Sequence, residues 1–144
     1  MIIPDLNILL YATISASARH ERARSWWETT LSGDAPVGLV APVVFGFLRL
    51  ATSRRVFDAP MSVDAAVGHV ESWLARPNVE YLAGGPRQLQ VALALVREVG
   101  AAGNLTTDVQ IAAHALCVQG TVYTHDSDFA RFERVARVYP LRDA

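Results

Sequence analysis

The chain has 144 residues, 51% of them hydrophobic and 19% charged, and a formal net charge of −1. This fits a single globular domain with a full core, 1–144, and excludes a protein held to nucleic acid by a global positive field. All 13 basic residues are Arg, so every mechanism that needs a lysine amine is excluded, although codon bias is the simpler account of the all-Arg set. Cys117 is the one cysteine, which rules out an internal disulfide or a thiolate zinc site, and its apolar neighbours predict a buried structural thiol.

The opening stretch, MIIPDLNILLYATISASARH, is apolar but interrupted by Asp5 and has no basic leader. It fits neither a signal peptide nor a membrane span, and a cytoplasmic protein is expected. MIIP predicts a first strand ended by Pro4, and LNILLYAT a helix starting after Asp5. In HERARSWWETTL, Ala23, Trp26, Trp27 and Leu31 share one side of a helix, opposite a charged face. VGLV predicts a second strand and PVVFGFLRLAT an apolar helix with Pro42 in its first turn. SVDAAVGHVESWLARP and PRQLQVALALVREVG predict two further helices around the strand VEYL. TTDVQIAAHALCVQG predicts a capped helix stopped at Gly120, and TVYT and VARVYPL the last two strands.

Strands alternating with helices predict an α/β fold, three layers with a mainly parallel sheet of four to five strands. Ligands of such sheets bind beyond the carboxyl ends of the strands, which makes the placement of four acids informative. Asp5 ends the first strand, Asp126 and Asp128 follow TVYT, and Asp108 lies in the first turn of the preceding helix. Taken singly, each has an ordinary role as a helix cap, a first-turn acid or a turn residue. Taken together, converging carboxylates repel one another unless a cation offsets them. Oxygen ligands without a histidine or cysteine set point to Mg²⁺ or Mn²⁺, with a phosphate as the substrate group.

DLNILLYA, TTDVQIAAHAL and TVYTHDSDFARF closely resemble the PIN-domain nucleases, in particular the VapC toxins of bacterial toxin–antitoxin pairs. The resemblance runs through HERARSWWE and GFLRLATS and so covers nearly the whole chain. It implies a metal-dependent endoribonuclease in which Asp5, Asp108 and Asp126 coordinate the metal, Asp128 supports the site, and Asn7 and Thr124 orient it. It also implies an RNA substrate, a small antitoxin covering the acidic site, and a homodimer or a toxin–antitoxin hetero-oligomer. One position departs from the pattern, because Gly46 stands where such enzymes usually carry a glutamate. A catalytically weak or inactive module that binds RNA or its partner without cleavage is therefore the alternative.

Arg49, Arg54 and Arg55 in RLATSRR form a local basic patch for RNA phosphates, or else a solvated loop. His125 reads as an exposed loop histidine and His114 as a residue facing a neighbour. Trp26 and Trp27 read as core or subunit packing. Response-regulator receivers and aspartate-nucleophile phosphatases, which also place acids and Mg²⁺ at a parallel sheet edge, resemble patterns that use a lysine, and this chain has none.

Overall fold

The computed structural model describes residues 1–100 and 103–142 and, at 104, the backbone alone. Its centre is a five-stranded, wholly parallel sheet of β1 (Ile2–Pro4), β2 (Val37–Val40), β3 (Val79–Leu82), β4 (Thr121–Tyr123) and β5 (Ala136–Val138), in the order β3-β2-β1-β4-β5. Among the described residues, six α-helices connect the strands: α1 (Leu6–Thr13), α2 (His20–Leu31), α3 (Ala41–Ala51), α4 (Val63–Leu74), α5 (Pro86–Val99) and α6 (Thr106–Val118). β2 is buried at all four positions, as a parallel sheet covered on both faces requires, and the α6 residues Val109, Ile111, Ala112 and Ala115 are buried as well.

The order of the sheet places the site. β1 and β4 lie side by side at its centre in the register Ile2↔Thr121, Ile3↔Val122 and Pro4↔Tyr123. The residues that follow them, Asp5 and Thr124, therefore leave the same edge together, and Asp5 N–H donates to the Tyr123 carbonyl at 2.8 Å. Pro4 can close β1 because Asp5 supplies that donor.

The structure departs from the sequence reading at several ends. α6 stops before Gly120, with Gln119 in the left-handed region at φ 52°. Gly120 has a different use: a Cβ there would lie 3.0 Å from the Met1 carbonyl oxygen and 3.1 Å from Ile3 Cδ1, so glycine lets β4 start close against β1. VARVYPL yields only the three residues of β5, since Pro140 has no N–H to continue the ladder. Cys117 is partly exposed rather than buried, because it lies in the last turn of α6, beside the exposed Val118 and Gln119.

Among the described residues, no helix is long and apolar enough to cross a membrane.

Candidate metal centre

Asp5 sits between β1 and α1 in extended conformation and is buried, with 5% of its surface exposed. Both of its oxygens are used: Oδ1 accepts from Leu6 N–H at 2.7 Å and Oδ2 from the Thr124 hydroxyl at 2.7 Å. Thr124 is itself fully buried, and its Oγ1 accepts from Asp126 N–H at 2.9 Å. The Asp126 carboxylate in turn accepts from Asp128 N–H at 2.8 Å and caps the short 3₁₀ turn Ser127–Arg131. Asn7 Oδ1 accepts from His125 N–H at 3.3 Å. One chain of bonds thus runs from β1 across Thr124 into the loop after β4, and it fixes where that loop's acids point.

Carboxylate oxygens of Asp108, Asp126 and Asp128, all partly buried, lie within 4.8 Å of one another. Asp108 reaches this group from the first turn of α6. Burial, then the charges of Asp5, Asp126 and Asp128, push its carboxyl up to about 7. Burial pushes Asp5 up to about 6, against the bonds from Thr124 and Leu6, and Asp126 adds to the rise. Uncompensated carboxylates in one place behave in this way, and three oxygen donors at this spacing fit a hard divalent cation. Asp5 stands outside the 4.8 Å group and is linked to it through Thr124 and through its charge.

The expected residues therefore fall into two sets. Asp108 and Asp126 converge with Asp128, which the sequence reading placed in a supporting role. Asp5 is held at the back of the group with Thr124, and Asn7 grips the loop. Gly46 lies on α3 against α1, where a Cβ would come within 2.7 Å of Leu6 Cδ2. Arg49, Arg54 and Arg55 are exposed, and no hydrogen bond or ion pair among the described residues ties them to the carboxylates.

His125 is not the exposed loop residue its position suggested. It is partly buried, its Nε2 accepts from Arg19 Nε at 2.9 Å, and its ring meets Tyr11 edge-on at 6.0 Å between centroids. Burial, then Arg19 and Arg142, lower its pKa. A sequence separation of 106 between Arg19 and His125 leaves no local signal for this contact. His114 is buried and its pKa is lowered by that burial.

The PIN domain family matches residues 2–135. Ribonuclease VapC33 of Mycobacterium tuberculosis is 47% identical over 143 residues, which cover 99% of this chain and 100% of the relative. Ribonuclease VapC37 of the same organism is 35% identical over 135 residues, 94% of each chain. Among solved structures, Mycobacterium tuberculosis VapC20, described as a sarcin-ricin loop cleaving toxin, superposes with a TM-score of 0.70 at 21% identity, over 97% of this chain and 100% of that one. VapBC2 from Rickettsia felis, bound to a DNA fragment from its promoter, gives a TM-score of 0.70 at 17% identity, over 96% and 98%. A parallel sheet with acids gathered at its carboxyl edge, a match over nearly the full length and relatives at this identity agree: the chain belongs to the PIN-domain family.

Proposed function

We propose that the protein is a divalent-metal-dependent endoribonuclease, the toxin of a toxin–antitoxin pair, acting in the cytoplasm as one catalytic unit. The observation that carries this reading is the meeting of Asp108, Asp126 and Asp128 oxygens within 4.8 Å in a chain whose full-length relatives are named ribonucleases. Mg²⁺ or Mn²⁺ is the fitting ion, held by Asp108 and Asp126 with Asp128 or Asp5 completing the set. When bound, it supplies a Lewis acid for a phosphate oxygen and a more acidic water.

The chain's own residues do the positioning. Thr124 and Leu6 N–H hold Asp5 as a fixed acid behind the group. Asn7 and Thr124 hold the backbone of His125 and Asp126, so the donors converge before any ligand arrives. Arg49, Arg54 and Arg55 offer an outer patch for phosphates. By likeness to the VapBC assemblies, the partner is a small antitoxin, in a homodimer or a toxin–antitoxin hetero-oligomer.

Incubating purified protein with RNA in Mg²⁺, Mn²⁺ or EDTA, and mapping the new ends, tests the reading. Cleavage is expected with metal, and neither in EDTA nor in Asp108→Asn. Cleavage that persists in EDTA would exclude the metal mechanism. Gly46 favours a second reading, a binding module without cleavage, and an inert wild type that still binds RNA would establish it.

A further inference from the structure

Asn7 and Tyr11 are four residues apart on α1 and so lie on one face of it. Both touch His125: Asn7 Oδ1 accepts from the His125 backbone N–H, and the Tyr11 ring meets the His125 ring. The rim of the acidic centre therefore continues along α1, past Asp126 and His125, to Tyr11.

Two features meet there. The first is Arg19, exposed, with its Nε spent on His125 and its guanidinium carbon 5.6 Å from the centre of the Tyr11 ring. No carboxylate pairs with it among the described residues. The turn that carries it is bonded internally, Arg19 N–H to Ser17 Oγ at 3.2 Å and His20 N–H to the Ser17 carbonyl at 3.1 Å. A cation fixed at Nε by a histidine keeps its two terminal nitrogens for a forked contact with an anion. The second feature is a cleft of about 330 Å³ lined by Leu10, Tyr11, Ile14, Ala16, Ser17 and Phe57, apolar apart from Ser17 and the Tyr11 hydroxyl. A cation and an aromatic cleft sharing Tyr11 match a nucleotide, which is an anion joined to a flat apolar ring.

We propose that Arg19 and the cleft between Tyr11 and Phe57 form a subsite for one nucleotide of single-stranded RNA beside the acidic centre, Arg19 taking a phosphate and the cleft its base. The proposal rests on the ribonuclease reading for its ligand. A base paired in a duplex cannot enter a cleft, so the strand there is unpaired. The subsite offsets a problem of charge: four acids repel a polyanion, and Arg19 is a cation bonded to the loop that carries Asp126 and Asp128.

Binding of a mixed-sequence single-stranded oligoribonucleotide, followed by fluorescence anisotropy across a salt series in EDTA, tests it. Arg19→Ala is expected to reduce the slope of log affinity against log salt by about one phosphate contact. Phe57→Ala is expected to weaken binding about tenfold at every salt concentration with an unchanged slope. Arg76→Ala, before β3 and outside the lining of the cleft, is expected to change neither. A wild-type slope in Arg19→Ala, a wild-type affinity in Phe57→Ala, or a wild type that binds no oligomer at low salt overturns the subsite and leaves the cleft to a protein segment. If the expected pattern holds and added Mn²⁺ yields no cleavage, the subsite stands and the ribonuclease reading falls.

Discussion

At the scale of single residues, protons report on the centre. Asp5 near 6 and Asp108 near 7 both lie above the ordinary carboxylate value of 3.8, so in this range the folded chain binds more protons than the unfolded one. Stability from these groups is therefore fullest below about pH 4 and is lost as pH rises towards 7. In EDTA, the melting temperature of Asp108→Asn is expected to exceed that of wild type by a margin that grows across that window; a margin independent of pH would show that Asp108 is not strained. Metal binding must displace those protons, and calorimetry in two buffers of different ionisation enthalpy should register their release. Asp5→Asn, Asp108→Asn and Asp126→Asn are each expected to abolish cleavage with a cooperative melt retained, and full activity in any one removes that residue from the centre. Thr124→Val leaves Asp5 Oδ2 and Asp126 N–H without their shared partner. A loss of about 1–3 kcal/mol in urea unfolding is expected, together with weaker Mn²⁺ binding.

Between elements, the contacts that matter are those the strands and helices make next to the acids. Trp27 is buried against Trp73 with ring centroids 5.7 Å apart, while Trp26 stacks on Tyr123 at 5.4 Å. α2 is thus fastened to the strand that leads into Thr124, and Trp27→Ala is expected to cost about 3–5 kcal/mol in a urea melt. The α1–α3 contact passes through Gly46 and Leu6. A side chain at 46 needs only Leu6 to rotate, since the near atom is the end of a flexible side chain. Gly46→Glu is therefore expected to fold and to tighten Mn²⁺ binding in calorimetry; weaker binding in a folded variant would show that no ligand is missing there. What was legible in the sequence follows the same division. Helices Leu6–Thr13 and His20–Leu31 and strands Val37–Val40 and Val79–Leu82 announce themselves by period and punctuation, because those are local properties. Asp5, Asp108 and Asp126 were legible as acids at element ends. The place of Asp5 outside the closest group of acids, the Arg19–His125 bond and the left-handed Gln119 were not, since each is decided by segments distant in the chain or by strand packing.

For the whole molecule, an acidic centre at a sheet edge is also where a partner can act. A partner arginine reaching Asp5, Asp108 or Asp126 would relieve the same repulsion that metal relieves, so the proposed antitoxin and Mn²⁺ are expected to compete. Raising Mn²⁺ should lower the affinity of the complex in calorimetry, and co-expression with the antitoxin should restore growth; a complex indifferent to metal would place the antitoxin away from the acids. The sheet order carries a different consequence, in time rather than space. Strand β1, followed by Asp5, leaves the ribosome well before its central neighbour β4 and the acids Asp126 and Asp128. A nascent chain that has emerged only through α5 holds one acid of the four and lacks the strand that would seat it. The group of acids is therefore incomplete until β4 and the loop after it have been made.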